Sequence, residues 1–219
     1  MKALLIVVTL ALSAAPSYAQ SSSVYASVAG GFAVSPDGTS GDALGEVGVH
    51  IARHLSVFGD VGQFHNLQPS QIQPSVDSVD TTLAASGLAV TGVARVPAWY
   101  SMGGLRWSMP LNAHLSPYVF GSAGFARLTP AAHFTYQSGT LLGAATAPVV
   151  GDDVTAQLVS TGEFVQPAAS TAGMFAVGGG VEAPIAPHLV ADIGYRVSRV
   201  SADTPLNAQS VTFGVGYRF

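Results

Sequence analysis

Hydrophobic residues recur at every second position through most of this chain, which is the period of a β-strand with one apolar face. The last ten residues, SVTFGVGYRF, show the pattern clearly, because Val211, Phe213, Val215, Tyr217 and Phe219 alternate with small or polar residues. Seven further segments share this period, and together they give eight predicted strands: residues 23–34, 43–51, 55–64, 98–109, 116–128, 171–182, 188–197 and 210–219.

The connections between the predicted strands alternate between short and long. Those after the second, fourth and sixth strands are short, whereas the others are longer and include residues 65–97 and 129–169. In an antiparallel meander, successive connections lie at opposite ends of the sheet, so short turns at one end face long loops at the other. This layout is typical of bacterial outer-membrane barrels. We therefore predict an all-β fold, a closed antiparallel up-and-down transmembrane β-barrel.

The two longest loops contain alternating stretches of their own, at residues 133–137 and 153–160. One interpretation is that these stretches extend barrel strands above the membrane. The other is that they form an extra hairpin, which would give ten strands. Eight strands is the number that we predict.

The beginning of the chain has the pattern of a secretory signal peptide. Lys2 is followed by an apolar run from Ala3 to Ala15, and small residues at Ser17 and Ala19 precede a predicted cleavage before Gln20. The apolar run is shorter than the ~20 residues that a membrane-spanning helix needs. We therefore predict a signal peptide at residues 1–19, an outer-membrane β-barrel domain at residues 20–219, and export to the cell outer membrane.

The composition is unusual for a soluble domain and fits strands that face lipid. Charged residues make up 9% of the chain, against about 25% in typical soluble proteins. The mean hydropathy is +0.41, yet no stretch after Gln20 is long and apolar enough for a transmembrane helix. The absence of cysteine excludes a disulfide scaffold. A net charge of -4 provides no basic surface for nucleic acid.

The charged residues of the predicted strands fall on the smaller, more polar face of the alternation. We predict that they line the barrel lumen: Glu46, Asp60, Arg106, Arg127, Glu182, Asp192, Arg196 and Arg218. A barrel of eight strands is narrow and filled by side chains, and an unpaired buried charge is costly. The four acids and four bases of this set are therefore expected to pair. Inward-facing glycines are expected to make room for the long arginine side chains.

Two other groups of residues are assigned by their position. The remaining acids are assigned to solvated loop surface, or alternatively to a bridging divalent cation: Asp37, Asp42, Asp77, Asp80, Asp152, Asp153, Glu163 and Asp203. Aromatic residues near the predicted strand ends are assigned to the interfacial girdles of a barrel: Trp99, Trp107, Tyr118, Phe120, Tyr195, Tyr217 and Phe219.

The C-terminal stretch FGVGYRF resembles the C-terminal signal of Gram-negative outer-membrane proteins, with matches at Phe213, Val215, Tyr217 and Phe219. That resemblance implies recognition by the barrel-assembly machinery. The whole mature chain resembles the small outer-membrane β-barrel family, the OmpA-like or opacity-type barrel domains, in its architecture and in SVYASVAGGF and VGYRF. Such a resemblance implies an envelope structural protein, adhesin or resistance factor that acts through its loops. No periplasmic peptidoglycan-binding domain is expected.

We predict a structural or surface-interaction role and no enzymatic activity. His65 and His133 lie near the predicted outer rim, but neither is next to a recognisable nucleophile motif. No metal site and no cofactor are expected, because the HxxxH spacing from His50 to His54 joins a predicted strand to a short turn. The predicted partners are outer-membrane lipid and lipopolysaccharide, the assembly machinery and an extracellular ligand of the loops, with no nucleic acid. The alternatives are a narrow pore, opened if the inward charge pairs rearrange, and a secreted soluble β-barrel carrier.

Overall fold

The computed structural model describes residues 24–36, 38–67, 69–109, 111, 114–141, 147–202 and 205–219. The predicted signal peptide and the predicted loop acids Asp37 and Asp203 lie outside the described residues. Among the residues that are described, neither α-helix is long and apolar enough to cross a membrane.

Eight antiparallel strands form a closed barrel, as the period of two predicts. They are β1 (Val24–Ser35), β2 (Gly38–Ala52), β3 (Leu55–Phe64), β5 (Ala98–Ser108), β6 (Ser116–Leu128), β8 (Ser170–Pro184), β9 (Leu189–Ser201) and β10 (Leu206–Arg218). Two further strands, β4 (Leu88–Arg95) and β7 (Ala131–Gly139), form a separate two-stranded sheet. The barrel therefore has eight strands and not ten.

The last strand closes the barrel by pairing with the first, so the cylinder has no free edge. Val28 lies opposite Val215 in this pairing, and the amide of Phe219 donates to the carbonyl of Val24 at 2.9 Å. Both ends of the barrel chain thus lie at the end where residues 53–54, 109–115 and 185–188 connect the strands. We call this the turn end and the opposite end the cap end.

At the cap end, two of the predicted long connections are short. β1 and β2 are joined through residues 36–37, and β9 and β10 through residues 202–205, because these strands extend further than predicted. This extension places Asp42 within β2, where it is 3% exposed, and not in a solvated loop as predicted.

The outer face of the barrel is an apolar belt with aromatic residues near both ends. Trp99 and Trp107 lie on β5, point outward and are each about half exposed. They are eight residue steps apart, which is about 26 Å along the strand. At a strand tilt of about 40°, the corresponding height along the barrel axis covers most of the apolar band that such barrels expose to lipid. Tyr195, Tyr217 and Phe219 also point outward. Tyr118 and Phe120 do not: both face the lumen, so their assignment to a girdle is wrong.

β4 and β7 continue two barrel strands beyond the rim. β4 precedes β5 and β7 follows β6, with only residues 96–97 and 129–130 between them. Arg95 pairs with Ala131 just above the pair Ala98 and Leu128, so the two ladders form one long ribbon. Pro97 and Pro130 interrupt it because proline has no amide hydrogen to donate. Residues 133–137 are thus a strand extension, the first of the two interpretations offered by the sequence.

The two long connections fold into a cap with its own hydrophobic core. The cap consists of α1 (Gln73–Ala85), β4, β7 and α2 (Thr155–Ser160), with the segments that join them. Val76, Leu83, Phe134, Leu158 and Phe164 are buried in its core. Residues 153–160 form no strand beyond an isolated bridge from Asp153 to Thr135, because Val154 and Leu158 pack on this core at helical spacing.

Candidate functional site

The lumen divides into a charged half towards the turn end and an apolar half towards the cap end. Seven of the eight charged residues predicted to line it are on inward-facing positions: Glu46, Asp60, Arg106, Glu182, Asp192, Arg196 and Arg218. The burial pattern of the strands gives these seven residues their inward orientation. Paired charges and tyrosine hydroxyls hold this half together in two groups.

The first group lies near the turn end and centres on Arg106. One of its nitrogens, Nη2, is 2.7 Å from Oε1 of Glu46, and the other, Nη1, is 3.0 Å from Oε1 of Glu182. The second carboxylate oxygen of Glu182 accepts from Arg218. The guanidinium of Arg106 also lies 4.2 Å from the centre of the Tyr118 ring. A chain of alternating charges therefore crosses the lumen from β2 to β10.

The second group lies nearer the cap end and centres on Arg196, whose Nη2 is 2.6 Å from Oδ2 of Asp60. Asp60 lies directly opposite Glu46 on neighbouring strands, an arrangement that is destabilising for like charges. Each of these two acids has its own arginine, Arg196 for Asp60 and Arg106 for Glu46. The two arginines thus allow adjacent acids to be buried side by side.

Arg127 does not join either group. Its side chain is exposed on the outside of β6, because Ala126 and Leu128 on either side of it point inward. With Asp42 inside and Arg127 outside, the described lumen contains five acids and three arginines, not the predicted four of each. The acids without an arginine partner therefore depend on hydrogen bonds from other donors.

Tyrosine hydroxyls provide those donors, which the sequence analysis missed. Tyr100 donates to Oδ1 of Asp42 at 3.1 Å, and Tyr118 donates to Oδ1 of Asp192 at 3.1 Å. These are the two acids that have no arginine partner among the described residues. Tyr25 adds a third such bond, of 2.8 Å, to Glu46. The signal was present in the sequence, because each tyrosine occupies an inward position of its strand.

The inward glycines make room for these aromatic rings. The sequence predicts instead that they make room for arginine side chains, and that prediction is wrong for Gly48, Gly62 and Gly180. A Cβ atom on Gly48 would lie 2.4 Å from the ring of Tyr25, and one on Gly62 would lie 2.3 Å from the ring of Tyr100. A Cβ atom on Gly180 would lie 2.5 Å from the hydroxyl oxygen of Tyr118. Since no side chain fits at such distances, these glycines are required for the tyrosines to reach the acids.

An apolar plug fills the lumen on the cap side of the two arginine-centred groups, with Asp42 at its border opposite Phe64. Its fully buried members include Phe64, Leu67, Met174 and Val200, and Leu128, Leu206 and small alanines complete it. Ile72, at the start of α1, packs against both the plug and the cap core. On the turn side, by contrast, the charges border a cavity of about 40 Å³ that reaches Arg218. Such a space holds only a few water molecules.

The cap presents one sheet face to solvent and covers its backbone edges. On one side, Gln73 and Asp80 of α1 bond to β4, with the Asp80 carboxylate accepting from the Gly92 amide at 2.8 Å. Burial raises the pKa of the Asp80 carboxyl. On the other side, the segment that contains Asp153 pairs with β7. A free strand edge invites pairing with another chain, and here both edges are occupied.

The exposed face of this cap sheet includes Thr91, Val93 and Arg95 of β4 and Ala131, His133 and Thr135 of β7. His133 lies 3.5 Å from Asp153 at its margin. Hydrogen bonds from Thr155 hold the pKa of the Asp153 carboxyl below its usual value, and His133 lowers it further. Among the described residues, no group of three or more His, Asp or Glu could hold a metal, so the described loop acids do not gather into such a site.

Comparisons with known proteins agree with this architecture. A family model described as an outer membrane protein β-barrel domain matches residues 4–219. Neisserial surface protein A is 16% identical, with a TM-score of 0.53 over 90% of this chain and 97% of that one. A major outer membrane protein from Thermus thermophilus is 11% identical, with a TM-score of 0.52 over 91% of this chain and 100% of that one. A search of curated protein sequences gave no significant match.

Proposed function

The chain belongs to the outer-membrane β-barrel family, and from this premise we propose that it is a plugged surface protein that binds extracellular ligands through its folded cap. Membership of the family, together with the exposed apolar belt, places the protein in the cell outer membrane. This location contradicts the alternative of a secreted soluble carrier. The proposal rests on one observation: the apolar plug joins the barrel to a cap that has a core of its own.

The plug argues against the alternative of a narrow pore. In that alternative, the lumen conducts when its charge pairs rearrange. The charged half ends at a layer in which Phe64 and Met174 are 0% exposed and Leu67 and Val200 are 1% exposed. Rearranged ion pairs would therefore still meet a dry apolar layer, and an ion crossing it would lose its hydration without compensation.

The cap supports binding through a sheet face. Because α1 and the segment near Asp153 cover the edges of the cap sheet, a partner cannot add a strand to it. The face with Val93 and His133 remains open, and the ribbon connects it rigidly to the barrel wall. A preformed face of this kind loses little conformational entropy on binding, in contrast to flexible loops.

We also propose that the protein is not an enzyme. Of the two histidines near the outer rim, His133 faces Asp153 with both side chains more than half exposed. A general base normally depends on a shielded pocket and a shifted pKa. The open position of this pair does not provide such a pocket.

The binding proposal is tested on bacteria that display the barrel. Val93→Glu and His133→Glu place a charge on the open face at exposed positions, so the fold should be retained. Ser78→Glu on the exposed side of α1 is the matched control. We expect attachment to extracellular matrix or host cells to fall for the face variants and to persist in the control. Equal attachment by all three variants would contradict the proposal.

The plug is tested separately by conductance across a planar bilayer. We expect the refolded protein to give no stable single-channel steps. Steps of uniform size in the wild-type protein would favour the pore instead.

A further inference from the structure

Two arginines point outward from the barrel at the cap end of the apolar belt. Arg127 lies on β6 and Arg199 on β9, and both are exposed. A charge on the lipid face is costly at mid-membrane and cheap only near the interface. Arg127 is at the interface, because its cross-strand neighbour on β5 is the girdle residue Trp99. Arg199 lies opposite Asn207, where the outer face of β10 becomes polar.

The two arginines flank a gap on β8, the strand between β6 and β9. Gly173 on β8 pairs with Phe125 on one side and Ser201 on the other. Arg127 and Arg199 are two residues away from these partners, so both are diagonal neighbours of Gly173. Diagonal neighbours in a sheet are about 7–8 Å apart, within reach of long side chains.

The gap itself is open. An added Cβ on Gly173 would have no heavy atom within 4 Å, so the fold does not require glycine at this position for lack of space. The absence of a side chain leaves open space on the outer face between the strand positions of the two arginines.

Neither arginine has an acidic partner among the described residues. The five acids in the described barrel strands, Asp42, Glu46, Asp60, Glu182 and Asp192, all face the lumen. No ion pair joins Arg127 or Arg199 to another described residue. Because no described acid neutralises these two cations on the outer face, an anion from outside the barrel wall can bind between them.

We propose that Arg127 and Arg199 form a clamp over Gly173 that binds the phosphate of a lipid in the outer leaflet. The planar guanidinium donates paired hydrogen bonds that match phosphate oxygens. Arg127 lies opposite Trp99 and Arg199 lies opposite Phe175, which sets the phosphate at headgroup level while the acyl chains lie along the apolar belt. This site is on the barrel wall and is independent of the ligand proposed for the cap.

The test uses the full barrel in nanodiscs of phosphatidylcholine with a minor fraction of phosphatidic acid as the phosphate probe. In a Trp107→Phe background, Trp99 is the remaining tryptophan and lies beside Arg127. Its quenching by brominated phosphatidic acid, divided by its quenching by brominated phosphatidylcholine, measures the preference for the phosphate monoester. Taking this ratio within each variant removes changes in the fluorescence baseline.

We expect Arg127→Gln or Arg199→Gln to lower the preference by about fivefold, and the double variant by more than tenfold. Arg53→Gln removes one charge from an exposed position at the turn end, matches either single variant, and should keep the preference. Gly173→Asp places an acid in the open space between the arginines and should abolish the preference for phosphatidic acid. Heat-dependent electrophoretic mobility confirms that each variant is folded.

Three results would overturn the clamp. One is an unchanged preference in the Arg127 and Arg199 double variant. Another is a loss in the Arg53→Gln control equal to that of the single clamp variants, which would indicate only a general effect of charge. The third is displacement of the lipid by excess inorganic phosphate, which would identify a site for free phosphate and not for lipid.

Discussion

Replacing Arg106 with methionine should destabilise the barrel strongly, because it isolates one buried acid. The guanidinium of Arg106 lies between Glu46 and Glu182. Glu182 keeps Arg218 in the variant, whereas Glu46 keeps only the hydroxyl of Tyr25. Glu46 is 5% exposed and lies directly opposite Asp60, so its charge would be poorly compensated.

The size of the effect follows from this isolation. Removal of one partner from a buried ion pair costs about 3–5 kcal/mol, since the other charge stays buried. The hydroxyl of Tyr25 and the neighbouring cavity, which admits water, both support the carboxylate. We therefore expect Arg106→Met to lower the free energy of unfolding by about 3 kcal/mol, the lower end of that range.

A second substitution distinguishes a stranded charge from lost packing. Adding Glu46→Gln to Arg106→Met removes the stranded charge and should restore most of the stability. Adding Glu182→Gln instead is the matched control and should restore little, because Glu182 still has Arg218. Urea unfolding of the vesicle-refolded protein, followed by tryptophan fluorescence, measures all three variants.

Either of two outcomes would contradict the prediction that Arg106→Met leaves Glu46 as an uncompensated buried charge. A loss below about 1 kcal/mol for Arg106→Met would be that of an exposed ion pair, and not of a buried one. Equal rescue by glutamine at positions 46 and 182 would show that the two acids are equivalent, against the geometry.

Three other predictions concern steric fit, pH and assembly. Gly62→Ala brings a methyl group against a lumen tyrosine and should cost about 1–3 kcal/mol in urea unfolding, whereas the outward control Gly59→Ala, with 3.7 Å to its nearest atom, should be nearly neutral. The Asp153 carboxyl has a lowered pKa, so its stabilising contribution is present above the unfolded value of about 3.9 and is lost as the pH falls through the folded value. The hydrogen-exchange protection factors of β7 amides, which are corrected for the intrinsic exchange rate at each pH, should therefore fall at acid pH in the wild-type protein but not in Asp153→Asn. A pH response of the variant identical to that of the wild type would exclude this carboxyl as the cause. Phe219→Ser should reduce the barrel assembled in cells without changing the unfolding free energy of the refolded protein, and normal assembly would argue against a C-terminal signal.

The barrel was predictable from the sequence because the two faces of each strand lie in two different environments, which imposes a period of two. Lipid outside and side chains inside select opposite residue types, so the strands at residues 55–64 and 116–128 are predicted with the bounds observed. The same rule places Arg127 outside, since the neighbouring Leu128 is inward. The prediction that Arg127 lies in the lumen is wrong because the position of a residue in the alternation, and not its charge, decides which face it occupies.

The cap was not predictable in the same way. Its helix α1 has Gln73, Val76, Asp80 and Leu83 on one face. The role of that face depends on its contact with β4, whose edge it covers, and the helix sequence alone does not reveal that contact. Residues 153–160 alternate like a strand over a stretch too short to separate the two periods. Contacts between segments distant in sequence decided both structures.

The ribbon formed by β4 with β5 and β6 with β7 also determines how the protein responds to mechanical force. A partner attached to the cap would pull along β5 and β6, parallel to the strands. Force in that direction shears many interstrand hydrogen bonds together, whereas a perpendicular force would open them one at a time. The barrel wall thus gives the cap a firm anchorage against tension.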